Sequence, residues 1–410
     1  MQTVIKPFGA RLIKPGKPQP AGSPELRADE KVYDTCNVRQ RLVEGIRVYD
    51  MNPRATSTAE HFIPAAVFDI APEMSPIQTT RTRESVHRED QERSHDEAQV
   101  RARDFATAPA ASSRSKGGAA AHPRRRRKQV YYFAGGGWQN RPSPEHWKLC
   151  AHMCATLHAR GHPATVSLVS YPLAPNSPAV DAFPLLVPWY HEALAAPPTR
   201  AEQAELAELS RIPTGSSLGL GRVDTRASAS GSRRLLSRHV EEEEVIFAGD
   251  SAGANVALAL TMHVLATDPE ARAPSSLLLV SPAVDLRNSN PAMREVERKD
   301  PMLSVQFVNG TAAAWCGKGG DANDPRMSPL LGDVRVLAER DVVVNGVVGT
   351  YDVLAPDALL FREKCEKAGV KGRWLEWEKQ MHAFPLAFAY KVVKEASEAV
   401  EWMLNVLMDG

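Results

Sequence analysis

The chain has 410 residues, of which 43% are hydrophobic and 24% are charged, and its formal net charge is +1 at pH 7. This length and apolar content allow one large α/β domain with a cap, or several ordinary domains. A net charge near zero gives no electrostatic reason to expect a nucleic-acid partner. The five cysteines lack a Cys-x-x-Cys pair, and we expect Cys150 and Cys154, one helical turn apart, to be buried free thiols.

The N-terminal sequence MQTVIKPFGARLIKPGKPQP contains no apolar run of the length that a secretion signal needs. No uncharged apolar run elsewhere reaches the roughly 18 residues of a membrane-spanning helix. We therefore expect a soluble, cytoplasmic protein without a signal peptide or a membrane span.

Strand-like and helix-like patterns alternate along the chain. IRVYDM and AVFDIA are the first two predicted strands. Apolar runs of strand length then alternate with helical stretches, which is typical of a mainly parallel sheet covered by helices on both faces. These strands are predicted at residues 129–136, 165–173, 245–250, 277–282, 342–349 and 373–378, and the helices at 143–160, 252–266, 305–315, 356–368 and 386–407.

Two segments, residues 79–128 and 202–244, differ in composition from the rest. They are rich in charged and small residues, and they end in RRRRK and EEEE respectively. Such composition favours solvated insertions that are in large part disordered.

The pattern Gly-x-Ser-x-Gly occurs twice, and only its context separates the two copies. GSSLG at residues 215–219 has neither a strand before it nor an apolar helix after it, which indicates a loop. GDSAG at residues 249–253 lies between the strand VIFAGD and an apolar helix. Gly249 and Gly253 remove the Cβ atoms that would clash in such a sharp turn, so Ser251 is the candidate nucleophile. An ordinary helix-capping serine is the alternative.

A nucleophilic serine needs a base and a residue that orients the base. Asp352 follows the strand in VVVNGVVGTYDVL, and His382 follows the strand in RWLEWEKQMHAF. The carboxyl ends of parallel strands meet at one edge of the sheet, so both side chains are expected near Ser251. Asp357 competes with Asp352, but it more readily caps or faces the following helix.

Hydrogen-bond donors for a developing oxyanion are the remaining requirement. YYFAGGGW places Gly135, Gly136 and Gly137 directly after a strand, and the N–H of Ala252 follows the serine. A flexible loop and a phosphate cradle are the alternatives, although no Lys-Ser/Thr follows as a P-loop would require. We expect Trp138 and Asp250 to contribute to the substrate pocket.

With these residues in place, the chain resembles the hormone-sensitive-lipase-like branch of the α/β-hydrolase fold. The matching motifs appear in the family's order outside the two insertions. They are AGGGW, YPLAPNSP, GDSAGA, SPAVDL, DPMLS, DPRMSPL, GTYDVLAPDA and MHAF.

The resemblance implies a fold, a mechanism and a cap. The fold is a mostly parallel sheet with helices on both faces and a small helical cap over the site, drawn from residues 1–41 and 288–326. Ser251 would attack an ester carbonyl, His382 would act as general base and then acid, and Asp352 would orient His382. No metal or cofactor is implied. The family usually has His before the glycines, where this chain has Ala134, so the rigidity of the loop is in question.

The resemblance also places the strands that follow RRRRK and EEEE side by side. We therefore expect the two charge runs to pair at the rim opposite the chemistry, with separate solvation as the alternative. Exposed pairs of this kind contribute about 0–1 kcal/mol each. A nuclear-targeting or nucleic-acid role for RRRRK is a further, disfavoured alternative.

The predicted function is a serine carboxylesterase that acts on small or medium esters. The alternatives are a lactonase, deacetylase or acyltransferase of specialised metabolism with the same residues, and a non-catalytic ligand-binding protein of the hydrolase fold. The partner is a small-molecule ester, and a homodimer is one open alternative for the oligomeric state.

The domain boundaries are expected at 1–42 (N-terminal cap or arm), 43–78 (first strands), 79–128 (insertion), 129–201 (core), 202–244 (insertion) and 245–410 (core, with a cap segment at about 288–326).

Overall fold

The computed structural model describes residues 18–54, 100–104, 127–195, 243–391 and 393–409. The predicted strand AVFDIA and the GSSLG copy lie outside the described residues. So do most of the two insertions and the first part of the N-terminal arm.

A nine-stranded sheet in the order β1-β2-β5-β4-β6-β7-β8-β9-β3 forms the centre of the described chain. The six strands from β5 to β9 in this order are parallel, whereas β1, β2 and β3 pair antiparallel at the two edges. The strands are β1 (Cys36–Val43), β2 (Ile46–Pro53), β3 (Val100–Asp104), β4 (Lys128–Phe133), β5 (Ala164–Ser170), β6 (Glu244–Asp250), β7 (Ser276–Val280), β8 (Val343–Tyr351) and β9 (Arg373–Met381).

Helices cover both faces of this sheet. The α-helices are α1 (Pro144–Ala159), α2 (Ala179–Ala193), α3 (Ser251–Thr267), α4 (Ala292–Glu297), α5 (Val305–Cys316), α6 (Arg335–Glu339), α7 (Ala355–Lys367) and α8 (Lys394–Asp409). Short 3₁₀ helices span Glu30–Asp34, Pro329–Leu331 and Phe384–Tyr390. The helices α4 and α5 lie in the segment 288–326, for which the family resemblance implies a cap.

Two apolar cores, one on each face, hold the layers together. Successive residues of β4 point to opposite faces, so Val130 and Tyr132 join the core with α1 and α8, whereas Tyr131 and Phe133 join the core with α2 and α3. Because both faces are buried, the central strands are continuous apolar runs. The predicted fold class, a mainly parallel sheet between two helical layers, is confirmed.

The structure differs from the sequence prediction at the edges. The sequence predicts no strand at β1 or β3, because both are short of apolar residues; β1 is buried only at its two ends. The helix predicted over residues 386–407 begins only at Lys394, after a 3₁₀ helix and Lys391 with a φ of 55°. The five cysteines are free and buried, as predicted for Cys150 and Cys154.

None of the helices in the described part of the chain combines the length and apolar character that crossing a membrane requires.

The two charge runs meet where the structure describes them. Lys128 and Glu244 are register partners on β4 and β6, and their Nζ and Oε2 atoms are 2.6 Å apart. Arg127 Nε lies 3.5 Å from Glu243 Oε1. The side chains of Lys128 and Glu244 are only 5% and 13% exposed, so this pair is better shielded from solvent than the sequence suggests. The other residues of the two runs lie outside the described ranges.

Removing one partner of this pair should destabilise the protein. Glu244→Gln removes the carboxylate charge beside the shielded Lys128 ammonium, which should lower the free energy of unfolding by roughly 2 kcal/mol in urea titrations. The control is Asp341→Asn, because the ion pair of Asp341 with Lys371 is exposed and should contribute nothing measurable. Equal unfolding midpoints for the two variants would contradict the prediction.

Candidate active site

Ser251 occupies a strained turn between β6 and α3. It is the first residue of α3 and has a φ of 52°, in the left-handed region that non-glycine residues rarely adopt. A Cβ at Gly249 would lie 2.6 Å from Phe133 O, and one at Gly253 would lie closer still. Only glycine therefore fits on either side of Ser251, as the sequence predicts. This geometry presents the serine at the helix N-terminus, where the helix dipole favours negative charge.

His382 and Asp352 come together at the carboxyl edge of the sheet. His382 Nδ1 lies 2.9 Å from Asp352 Oδ2, and Asp352 Oδ1 accepts a hydrogen bond from Leu354 N–H at 2.9 Å. Both side chains are buried. The backbone beside His382 is held by a hydrogen bond from Ala383 N–H to Ser281 Oγ at 3.0 Å. The arrangement fixes the orientation of the imidazole.

Asp357 lies elsewhere. It is in the first turn of α7, and its Oδ1 accepts a hydrogen bond from Asn290 Nδ2 at 2.7 Å. Burial raises the pKa of Asp357 to about 6. Of the two carboxylates that compete in the sequence, it is Asp352 that contacts His382.

The pKa of His382 is raised above its ordinary value of 6.5. Burial alone would lower this pKa, but the charge and hydrogen bond of Asp352 and the charges of Asp300 and Asp250 outweigh it. The imidazole is therefore a stronger base than a free histidine.

Asp300 connects the segment before α5 to the loop that carries Asp352. Its Oδ1 accepts hydrogen bonds from Met302 N–H and Leu303 N–H at 2.7 and 2.9 Å. Its Oδ2 accepts one from Val353 N–H at 2.8 Å. Burial, followed by the nearby charge of Asp352, raises the pKa of Asp300 to about 6.

The glycine loop after β4 has a backbone that few residues could adopt. Gly136, Gly137 and Trp138 have φ values of 129°, 60° and 57°. A Cβ at Gly137 would lie 2.8 Å from Thr311 Cγ2, so α5 packs directly on this loop. Within the part of the chain that the structure describes, the N–H groups of Gly136 and Gly137 donate no hydrogen bond.

Gly135 differs from the other two glycines and corrects the sequence prediction. Its N–H donates to Asp250 Oδ1 at 3.0 Å. This N–H therefore points at a buried carboxylate and is not free for an oxyanion. The candidate donors reduce to Gly136, Gly137 and Ala252.

The loop has other anchors that compensate for Ala134. The Tyr171 hydroxyl donates to Ala134 O at 2.7 Å, and Ala174 N–H donates to Trp138 O at 2.8 Å. Asn140 Nδ2 donates to Gly136 O at 3.2 Å. These bonds tie the loop down without an imidazole at position 134.

A cavity of about 700 Å³ joins these residues. Ser251 and His382 both line it, and no hydrogen bond joins them among the described residues. Trp138 and Asp250, which the sequence predicts to contribute to a substrate pocket, also line this cavity. The remaining wall is mostly apolar and includes Leu286, Met302, Leu303, Phe307, Val308, Ala312, Leu354 and Leu386, with Arg141, Glu145 and Tyr390 on one side.

Among the described residues, no cluster of three or more His, Cys, Asp or Glu side chains is arranged to hold a metal.

The sequence prediction assigned no role to Asp300, to Ser281 or to His146, whose side chain contacts Asp250. Asp300 and Ser281 occur in the motifs DPMLS and SPAVDL, on which the resemblance to the family rests. These motifs did not indicate what either side chain does. Nothing in the sequence around His146 singles it out.

A family model described as the alpha/beta hydrolase fold matches residues 130–386. The chain belongs to this family. The resemblance drawn from the sequence is thereby confirmed.

Relatives of this α/β hydrolase cover part of the chain. An "Esterase" from Acinetobacter venetianus is 36% identical over 137 residues, which are 33% of this chain and 43% of that protein. An "Acetyl-hydrolase" from Streptomyces hygroscopicus is 27% identical over 169 residues, which are 41% of this chain and 54% of that protein. The chain thus spans about half the length of the curated relatives it matches.

Solved structures share the fold over nearly the whole chain. An esterase/lipase from an uncultured bacterium superimposes with a TM-score of 0.55 at 15% identity, covering 99% of this chain and 97% of the other. An esterase from the bacterial hormone-sensitive lipase family gives a TM-score of 0.54 at 16% identity, covering 93% and 85%.

The close backbone approach at the turn leads to a prediction about stability. Gly253→Ala should lower the free energy of unfolding by roughly 2 kcal/mol, because its Cβ meets the Phe133 carbonyl. The matched control is Gly310→Ala in α5, where nothing lies within 4 Å of the added Cβ. This change should stabilise the protein by about 0.5–1 kcal/mol. Urea denaturation of both variants checks the prediction, which is wrong if Gly253→Ala unfolds like the wild type.

Proposed function

We propose that the protein is a serine hydrolase of carboxylic esters and acts on small to medium esters through an acyl-enzyme. The observation that carries the proposal is the contact between His382 and Asp352 at 2.9 Å, at the wall of the cavity that Ser251 also lines. The similarity to a protein named "Esterase" supports it.

In the first half of the proposed reaction, Ser251 Oγ attacks the ester carbonyl carbon while His382 Nε2 takes the hydroxyl proton. Asp352 accepts a hydrogen bond from Nδ1–H, which leaves the lone pair on Nε2, and its charge stabilises the imidazolium that forms. The bond from the carbonyl carbon to the alcohol oxygen then breaks. The imidazolium gives its proton to the leaving alcohol, and the acyl group stays on Ser251.

The negative oxygen formed during the attack needs fixed donors. The N–H groups of Gly136, Gly137 and Ala252 are proposed for this role, because they lie at the glycine loop and at the N-terminus of α3. Each such donor typically contributes about 10²–10³ in kcat.

In the second half, water attacks the acyl-enzyme. His382 takes a proton from the water, and the carboxylic acid is released as Ser251 regains its proton. The mostly apolar cavity wall suits an acyl group without charge.

Deacetylation is the form of the specialised-metabolism alternative that a specific observation favours. One relative is named "Acetyl-hydrolase", and this name leads us to include acetyl esters in the test. The contact of His382 with Asp352 argues against a non-catalytic binding protein.

Hydrolysis of p-nitrophenyl esters from acetate to decanoate should depend on Ser251. The Ser251→Ala variant should lose turnover by about 10⁵-fold or more, and the wild type should be most active on short or medium chains. An intact Ser251→Ala variant with wild-type turnover, or a folded wild type inactive on every ester, would contradict the proposal.

The rate should fall at acid pH as His382 gains a proton, because the imidazolium cannot accept the proton of Ser251. Since the pKa of His382 is raised, the midpoint of kcat/KM against pH should lie above 6.5. Asp300→Asn removes a negative charge near the imidazole and should move this midpoint to lower pH. A flat profile from pH 5 to 8 would exclude His382 as the base.

A further inference from the structure

A buried carboxylate lies beneath the glycine loop, one residue before Ser251. The Asp250 side chain is 3% exposed, and its Oδ1 accepts hydrogen bonds from Gly135 N–H at 3.0 Å and from the Tyr132 hydroxyl at 2.9 Å. Asp250 is also the last residue of β6. One residue thus joins the loop after β4 to the turn that presents Ser251, and any shift of its carboxylate displaces both.

His146 holds this carboxylate from the side of α1. Its Nε2 lies 3.1 Å from Asp250 Oδ1 and 3.3 Å from Oδ2. Ser143 N–H donates to His146 Nδ1 at 3.0 Å, so Nδ1 carries a lone pair and the ring proton is on Nε2. The imidazole therefore donates its Nε2–H to Asp250, and its orientation is fixed by the start of α1.

We propose that Asp250 and His146 are positioning residues that hold the glycine loop in place for the oxyanion. The inference rests on the ester hydrolysis proposed above. Neither residue transfers a proton or contacts the reacting atoms. Their effect reaches the reaction through Gly135, whose anchored N–H sets where the N–H groups of Gly136 and Gly137 lie.

The conformation of the loop explains why a strong anchor is needed. Gly136 and Gly137 have no intrinsic preference for their positive φ values, and the left-handed φ of Trp138 costs energy in a residue with a side chain, so outside contacts are needed to keep the loop in this conformation. A charged acceptor makes shorter and stronger hydrogen bonds than a neutral one. Burial raises the pKa of Asp250, but His146 and the hydrogen bonds from Gly135 and Tyr132 lower it by more, so the carboxylate stays charged.

Two His146 variants separate a positioning role from a merely structural one. His146→Gln keeps an N–H donor near the position of Nε2, whereas His146→Phe keeps the ring shape and loses the donor. We expect His146→Phe to lower kcat about 30-fold with KM within about twofold, in the range that the loss of one hydrogen bond to a charged group typically costs. His146→Gln keeps a donor for Asp250 and should stay within about threefold of the wild type.

Tyr132→Phe provides a second test with a matched control. It removes one hydrogen bond to Asp250 and should lower kcat about fivefold, within the usual contribution of one buried hydrogen bond. Tyr190→Phe removes a similar hydroxyl, which donates a 2.9 Å hydrogen bond to Arg272 O. This hydroxyl is not part of the cavity wall, so the variant should leave kcat unchanged. Equal kcat values for Tyr132→Phe and Tyr190→Phe, equal losses for the two His146 variants, or a rise in KM without a fall in kcat would each overturn the proposal.

Amide hydrogen exchange of the wild type tests the anchor without any variant and without an ester. With residue-level mass spectrometry, Gly135 N–H should exchange at least about tenfold more slowly than Gly136 N–H and Gly137 N–H, because only Gly135 N–H has a buried partner. Equal exchange at the three glycines would overturn the proposal. If the wild type hydrolyses no ester while Gly135 is protected, the proposed function fails and the anchor stands.

Discussion

The site depends on the close approach between the end of β4 and the turn from β6 into α3. Phe133 O would lie 2.6 Å from a Cβ at Gly249 and closer to one at Gly253, so the two segments meet through backbone atoms alone. Because the glycine loop begins immediately after β4, this contact sets the distance between the loop and Ser251. The backbone atoms packed on both sides of the turn also hold Ser251 at its left-handed φ, because the crowded turn leaves no room for another backbone conformation.

Negative charge is concentrated on one side of this arrangement. Asp352, Asp300 and Asp250 all raise the pKa of His382, which strengthens the imidazole as a base. In the reaction proposed above, the same carboxylates would oppose the anion that forms next to Ser251. Backbone N–H groups and the N-terminus of α3 would have to offset this repulsion, which dipoles do only when they are close and fixed. The proposal therefore requires both the acidic surroundings of His382 and a rigid glycine loop.

The sequence predicts the central sheet and the meeting of His382 with Asp352 because both follow from local patterns. Buried parallel strands are continuous apolar runs, and residues that follow such strands collect at one edge. The strands β1 and β3 have no such signal, since their residues are mostly polar and their partners are chosen by tertiary pairing. The direction of Gly135 N–H depends on Asp250, which is 115 positions away, and no local pattern encodes it.

The ion pair between Lys128 and Glu244 joins β4 to β6 at their amino ends. This rim of the sheet lies opposite the cavity. The strands that follow the two compositionally unusual segments both begin at this rim, so each segment rejoins the described chain at the edge away from the cavity. A peptide grafted directly before Arg127 or Glu243 would therefore join the sheet at the end of the strands opposite the residues that line the cavity.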